Sequence, residues 1–422
     1  MKVLVIGQGG REHALVWKFA QSPLVTKIYA YPGNPGIAEL ATLVQVSSLE
    51  ELKDFAIKEA IDLTVVGPEK YLAAGIADLF KEAGLAIFGP SQAAARLESS
   101  KAYAKAFMQR HNIPTAAFLE ADDYNTACCM IKNAPYRLVV KADGLAQGKG
   151  VAVTESAKEA MDAVQQMLSG AFGEAGHKVI LEERLEGPEI SVLTLVEGSN
   201  YCVLPVAMDH KRAYDNDLGP NTGGMGAVAP IALNNELQEE IEKTIIKPTI
   251  DGLVEEGTFF SGVIFIGLML TKNGPKVLEY NVRLGDPETQ AVLPLIKNDL
   301  FTLIQDLKTG KKCSLDLLEQ VSCCVVIASE GYPGDYAKNV LINLPKLDQN
   351  QIIFHSGTQL IQGKLCSLGG RVLAVVGLGQ NLQEARDKAY QIVDKIDFAP
   401  KMVRKDIGMK ALSFQDFTKI IL

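Results

Sequence analysis

Over about the first 100 residues, short and nearly continuous apolar runs alternate with amphipathic stretches. Residues 3–6, 28–31, 63–66 and 85–88 predict strands. Strands without a polar face belong in a parallel sheet covered by helices on both sides. Three of them close on glycine turns: Gly7-Gln8-Gly9-Gly10, Gly67-Pro68-Glu69 and Gly89-Pro90-Ser91. In such sheets ligands bind at the carboxyl ends of the strands, where these turns lie. Residues 91–110 read as one helix, and Pro114 closes the segment after it.

A second unit follows. Residues 138–141 and 151–153 predict strands around a glycine loop, 156–168 a helix and 179–183 another strand. Longer antiparallel strands are predicted at 190–206 and 262–282, with a helix over 234–256 between them. A third region starts near 321, with strands at 322–328, 352–355 and 371–376 and a helix over 382–396. There is no internal repeat and no low-complexity tract.

The chain has 422 residues, which at ~100–200 residues per domain means two to four domains. Its 47% hydrophobic content supports several cores. The net charge of −8, without any basic run, argues against a nucleic-acid partner. No apolar run approaches the ~20 residues of a membrane span, and residues 1–7 are too short for a signal peptide. The seven cysteines include the adjacent pairs Cys128-Cys129 and Cys323-Cys324 but no C-x-x-C. They read as reduced thiols of a cytoplasmic protein. The five histidines are scattered and lack zinc-ligand spacing.

The richest segment is Lys276 to Gln290. Val277, Leu278, Tyr280 and Val282 favour a strand. Alternation then puts Leu278, Tyr280 and Val282 toward a core, and Glu279, Asn281 and Arg283 together on the other face. A carboxylate beside an amide oxygen suits a magnesium ion carrying phosphates, and an arginine suits phosphoryl oxygens. The alternative is an edge strand with a solvated polar face. Glu279-x-Asn281 followed by Arg283-Leu284-Gly285-Asp286-Pro287-Glu288-Thr289-Gln290 resembles the signature of the glycinamide ribonucleotide synthetase family, in the ATP-grasp superfamily. The family usually has Phe where Leu284 stands, and the position stays apolar.

Gly7 to His13 invites a dinucleotide reading, which fails at two points. Glu12 stands where close helix packing needs a small residue, and no acidic residue ends the second strand. A phosphate at the helix start, near Arg11, remains attractive. The segment resembles the family's G-x-G-G-R-E-H. That implies a phosphoribosylamine site from Gly9, Gly10, Arg11 and Glu12, with Asn34, Gly67, Pro68 and Glu69 lining the same crevice.

Lys141 to Val151 is a strand, a glycine-rich loop and a strand, without the Ser/Thr or the helix of a Walker A motif. Loop amides can cradle phosphates, and Lys141 can neutralise them; a plain hairpin is the alternative. It resembles the ATP-grasp loop, with Gln147 where Ala is common, and implies ATP contacts at Lys141, Gly144, Gly148, Lys149 and Gly150. Leu181 to Glu189 resembles the ATP-grasp hinge. There Glu182, Glu183 and Leu185 would lie near adenine, and Glu189 at the ribose hydroxyls. Lys101 and Lys105 share a helical face; Lys105 is the choice for the ATP phosphates, against a solvated face. Residues 209–226 read as a long polar loop. Its D-H-K-R and G-P-N-T-G-G-M-G resemble the same family, implying a substrate pocket from Asp209, Lys211, Thr222 and Gly223 beside Arg283 and Asp286. His210 reads as a positioning or structural residue.

Four C-terminal segments, including Gly331 to Tyr336 and Gly369 to Val372, also match, so the resemblance covers essentially the whole chain. It implies an α/β protein of three domains. These are an N-terminal parallel-sheet (pre-ATP-grasp) domain over 1–104, an ATP-grasp domain over 105–320 with a mobile lid at about 123–190, and a small α+β domain over 321–422. The implied reaction joins glycine to 5-phosphoribosylamine through glycyl phosphate, converting ATP to ADP and phosphate. Lys141, Asp209, Lys211 and Arg283 would be catalytic, with Glu279 and Asn281 holding Mg2+ or Mn2+. The implied partners are small molecules, and the chain would be a monomer. Another ATP-grasp carboxylate–amine ligase would lack the D-H-K-R and G-P-N-T-G-G-M-G pair. A silent binding protein would lack Glu279 or Asn281.

Overall fold

A computed structural model describes residues 1–144, 150–171, 176–348 and 350–417. The expected ATP contacts at Gly148 and Lys149 lie outside the described residues. Among the described residues, no helix is long and apolar enough to cross a membrane.

The N-terminal strands are β1 (Lys2–Gly7), β2 (Lys27–Pro32), β3 (Thr42–Leu43), β4 (Leu63–Val66) and β5 (Ile87–Phe88). They form the expected parallel sheet, in the order β3-β2-β1-β4-β5. Leu4 and Ile6 pack into one core, while Val3 and Val5 pack into another on the opposite face. This is why these strands lack a polar face.

The helix expected over 91–110 is two helices, Gln92–Ser99 and Lys101–Arg110. Ser100 breaks it with extended backbone, φ −137° and ψ 112°. Its hydroxyl accepts from the Tyr103 amide (3.1 Å) and donates to Asp143 (3.2 Å). A serine that caps a helix start competes with continuation of the previous helix. The expected boundary at 104 falls inside the second helix.

Strands β6 (Phe118–Ala121), β7 (Leu138–Ala142), β8 (Val151–Val153) and β9 (Val179–Glu183) form an antiparallel sheet, β6-β9-β7-β8. The helices Tyr124–Asn133 and Ala157–Gln166 complete a separate core around Ile131, Val140, Val164 and Leu181. Each such buried side chain contributes about 1.5–3 kcal/mol, so the unit holds its own shape.

Next come the hairpin β10 (Glu189–Glu197) and β11 (Asn200–Val203), then β12 (Met208–Asp209), β13 (Arg212–Tyr214), β14 (Leu218–Asn221) and β15 (Gly226–Ala229). Strands β16 (Ser261–Thr271) and β17 (Gly274–Asn281) join the first two in the antiparallel sheet β11-β10-β16-β17. The helix expected over 234–256 exists, but a π turn, Glu242–Ile246, interrupts it just before Pro248. Proline has no N–H to give the helical ladder, and the widened turn absorbs the loss.

The C-terminal region holds β18 (Val321–Ser329), β19 (Gln351–His355), the hairpin β20 (Thr358–Ile361) and β21 (Lys364–Ser367), β22 (Arg371–Gly379) and β23 (Lys401–Met402). Two expectations need correction here. Residues 209–226 are not one loop: they fold as the β13–β14 hairpin between β12 and β15. Those flanking strands belong to the C-terminal sheet, β12-β15-β18-β22-β19. Apolar Ala227, Val228 and Ala229 drive the pairing, buried against Cys324, Cys323 and Ser322. The sheet therefore crosses the expected boundary at 320. The cysteines are also not all free thiols: Cys202 of β11 is disulfide-bonded to Cys313. The two lie 111 residues apart, so local spacing is silent about the pair.

Candidate active site

A cleft of about 1290 Å³ opens where the sheets and the C-terminal region meet. Strand β17 forms its floor. Tyr280 and Val282 are buried in the core, and Glu279, Asn281 and Arg283 all line the cleft, as alternation requires. Leu278 does not follow the pattern. A β-bulge leaves it without a partner on β16, so Val277 takes the core position and Leu278 faces the cleft.

One side of the cleft carries a buried triad. Lys105 Nζ lies 3.0 Å and Lys141 Nζ 2.9 Å from the Glu182 carboxylate. Lys105 also donates to Thr115 Oγ1 (2.7 Å), and Lys141 to the Leu278 carbonyl at the bulge (3.1 Å). Burial alone would raise the Glu182 carboxyl, but Lys141 and Lys105 together hold it below its ordinary value. Burial lowers Lys105 to about 8, against the opposing pull of Glu182. Lys101 joins this side and donates to the Gly144 carbonyl (3.1 Å). Gly144, Gly150, Glu183, Leu185 and Glu189 line the same stretch of cleft, and Glu183 faces Lys276 at 3.5 Å.

The other side is acidic. Lys211 forms an ion pair with Glu189 and lies 3.5 Å from Glu279. Burial would lower the lysine, yet Glu189, Glu279 and Asp209 raise it well above its ordinary range. Burial raises Asp209, Lys211 opposes this, and Glu288, Glu189 and Glu279 push it further up. Glu279 goes the other way: burial would raise it, but Lys211, Lys141, Lys101 and Arg283 bring it down to about 2. Arg283 donates to Asn281 Oδ1 (3.0 Å) and is held by Glu98 (2.9 Å) and Glu69 (3.4 Å). Thr222, Gly223 and Asp286 line this end.

The N-terminal turn divides. Arg11, Pro68 and Glu69 line the cleft, whereas Gly9, Gly10, Glu12, Asn34 and Gly67 lie behind the lining. Glu12 is buried, pairs with Arg11 and accepts the Gly9 amide (2.6 Å). Its own carboxylate therefore occupies the helix start expected to take a phosphate. A Cβ at Gly67 would come within 2.0 Å of that carboxylate, so Glu12 ties the two glycine turns together. Asn34 donates to the Gln8 and His355 carbonyls (2.8 Å each) and accepts from the Ile37 amide (2.9 Å). His210 is structural: it is fully buried, contacts the Gly226 carbonyl through Nδ1 (3.3 Å) and accepts the Gly408 amide on Nε2 (3.0 Å). Burial, with Arg404 nearby, lowers it to about 4.

Sequence reasoning gave no role to Glu98, Glu288, Tyr332 or Arg371, all of which line the cleft. Tyr332 and Arg371 sit in glycine-flanked segments, and that was the available signal. Nothing in the sequence marks Glu98.

Known proteins match this architecture along its length. The descriptions "Phosphoribosylglycinamide synthetase" N domain, ATP-grasp (A) domain and C domain match residues 1–98, 99–289 and 322–410. The chain belongs to the phosphoribosylglycinamide synthetase family. A phosphoribosylamine–glycine ligase of Caldanaerobacter subterraneus is 46% identical over 414 residues, 97% of this chain and 99% of that one. One from Vibrio cholerae is 45% identical, covering 98% of this chain and 99% of that one. The crystal structure of the Thermotoga maritima phosphoribosylamine–glycine ligase superposes with a TM-score of 0.87 at 35% identity, over 96% of this chain and 100% of that one. In this synthetase family member the first two matched stretches meet at 98 and 99, beside the helix break at Ser100.

Proposed function

We propose that the protein joins glycine to 5-phosphoribosylamine in purine biosynthesis, giving glycinamide ribonucleotide, ADP and phosphate. The observation that carries this reading is the position of Glu279. It lies between a lysine-rich pocket around Glu182 and a carboxylate-rich pocket around Lys211. Relatives covering nearly the whole chain bear the name of this activity.

The chemistry follows from the substrate. Glycine's carboxylate is a poor electrophile, because attack would have to expel an oxide. Transfer of the γ-phosphoryl group to a carboxylate oxygen forms glycyl phosphate and releases ADP. The sugar amine then attacks the glycyl carbon, the bond to phosphate breaks, and the nitrogen gives up a proton. Phosphoryl transfer asks mainly for positioning and charge neutralisation. Lys105 and Lys141 suit the ATP phosphates, and Arg283, held by Glu98 and Glu69, suits the phosphoryl group in flight. Asp209, whose proton affinity burial and the carboxylates of Glu288, Glu189 and Glu279 raise against Lys211, suits acceptance of the amine proton. Glu279 and Asn281 offer two hard oxygen donors on one strand, which fits magnesium or manganese. Such an ion would neutralise phosphate charge there. The unit around residues 123–190 has its own core, which supports its movement as a lid over ATP. In this reading the enzyme is a cytoplasmic monomer acting on small molecules.

The test is phosphate release from ATP with glycine and phosphoribosylamine, omitting each in turn. Release should need all three. Equal release without phosphoribosylamine would mean an ATPase. Equal rates with other amino acids would mean a different ATP-grasp ligase.

A further inference from the structure

The acidic end of the cleft is closed by residues of the C-terminal domain. Arg371 opens β22, and its Nη1 donates to the Gly223 carbonyl (2.6 Å), the Asp286 carbonyl (2.7 Å) and, more weakly, the Gly224 carbonyl (3.4 Å). The same nitrogen lies 3.3 Å from Asp286 Oδ1. One guanidinium thus ties the turn after β14 to the turn after β17. Tyr332 adds a second tie: its hydroxyl accepts the Gly223 amide (3.0 Å). The approach is tight. A Cβ at Gly223 would come within 3.0–3.3 Å of the guanidinium Cζ, Nη2 and Nε, so a side chain there would make the guanidinium give by a few tenths of an ångström.

We propose that Arg371 and Tyr332 are positioning residues for the phosphoribosylamine half of the reaction. They fix the Thr222–Gly223–Gly224 turn against Asp286, which faces Gly9 of the N-terminal turn. Asp286 is where the three regions of the chain meet. Burial would raise its carboxyl, but Arg371 and Arg11 hold it charged. A group held by hydrogen bonds from a rigid strand keeps its geometry, and displacements of about 1 Å near a reacting centre can lower rates ~100-fold. Among the described residues no hydrogen bond or ion pair joins Lys105, Lys141 or Glu182 to Arg371, Tyr332 or Asp286, so the KM for ATP serves as the control. The inference rests on the proposed reaction for the identity of the amine substrate.

The test uses the full chain with Arg371→Met and Tyr332→Phe, in two measurements. In steady-state assays, kcat/KM for phosphoribosylamine should fall ~100-fold for Arg371→Met and ~5-fold for Tyr332→Phe. The KM for ATP should stay within about twofold in both. Hydrogen exchange should show faster amide exchange at Thr222 to Met225 in both variants, and unchanged exchange in β7 and β9. Parallel changes in the ATP and phosphoribosylamine constants overturn the proposal, as does unchanged exchange at the turn. Tyr332→Phe removes one oxygen, so it serves should Arg371→Met not fold. A wild type that does not turn over phosphoribosylamine sinks the reaction assignment, while the exchange experiment still decides the positioning role.

Discussion

On the side of the cleft proposed for the nucleotide two lysines share one carboxylate, Lys105 and Lys141 with Glu182. On the far side one lysine, Lys211, faces three carboxylates: Glu189, Glu279 and Asp209. The first grouping is buried and the second is about one-third exposed, and both are incomplete. An unbalanced charge is costly where it is buried and less so where water reaches it, so each side gains from a partner of opposite sign, the first side more. The first lacks negative charge and suits a polyphosphate. The second lacks positive charge and suits a metal ion and an amine. Charge imbalance, more than shape, therefore separates the two halves of the cleft. Glu279 belongs to both, being influenced by Lys211 and Lys141 alike.

The sharpest way to break this division is at Glu279. Glu279→Gln keeps the size and removes the charge. Turnover should fall ~1,000-fold or more, because the charge sits where the proposed phosphate and cation sites meet Lys211. The thermal midpoint should hold, since the side chain faces the cleft and its loss opens no core cavity. Phosphate release across a magnesium titration measures this. Wild-type-like activity at limiting magnesium would remove the metal role.

The cationic half is tested by pH. Lys105 titrates near 8 in the free protein, below the usual lysine value because burial disfavours its charge. It is charged below pH 8 and neutral above. The KM for ATP should be flat below pH 7 and climb about fivefold between pH 8 and 9. Lys105→Arg, which stays charged, should flatten that climb. A wild-type profile flat to pH 9.5 would mean that Lys105 carries no charge-dependent share of ATP binding.

Arg11 should act only on the far half. It lines the cleft, donates to the Leu284 carbonyl (3.0 Å) and is paired with Glu12. Arg11→Ala should raise the KM for phosphoribosylamine ~10-fold and leave that for ATP within about twofold. A fall in ATP affinity instead would place the N-terminal turn on the nucleotide side.

These contrasts were unevenly legible in the sequence. Alternation along β17 placed Glu279, Asn281 and Arg283 together, because one face of that strand is packed and the other open. It misplaced Leu278, because a bulge depends on the partner strand β16. Glu98, which grips Arg283 from the helix Gln92–Ser99, had no marker, since a lone glutamate on a helix resembles any solvated one. The β13–β14 hairpin read as loop because its strands are short and polar. The sheet built from β12, β15 and β18 escaped notice for a different reason: β15 and β18 pair across about 100 residues of chain, and local patterns carry no pairing information. The central strands of the N-terminal sheet, β1 and β4, were plain because they are buried on both faces, whereas the two-residue edge strand β3, with Thr42 exposed, gave no apolar run to read.

The smallest expected effect concerns how the cationic half is held. Ser100 starts the helix that carries Lys101 and Lys105, accepting the Tyr103 amide and donating to Asp143. Asp143 also accepts the Ala102 amide (3.0 Å), so it is a second cap, reaching in from the end of β7. Removing a serine cap costs about 0.5–2 kcal/mol. Because Asp143 remains, Ser100→Ala should sit at the low end, shifting the thermal midpoint by about 1–2 °C in a chain this long. The helix start would loosen by a fraction of a turn, and Lys101 and Lys105 would lose some of their alignment. The KM for ATP should rise about twofold, with no change for phosphoribosylamine. Ser100→Thr, which keeps the hydroxyl, should restore both values. Equal rises for the two substrates would mean that the helix serves the whole cleft, and the division into two halves would fail at its first support.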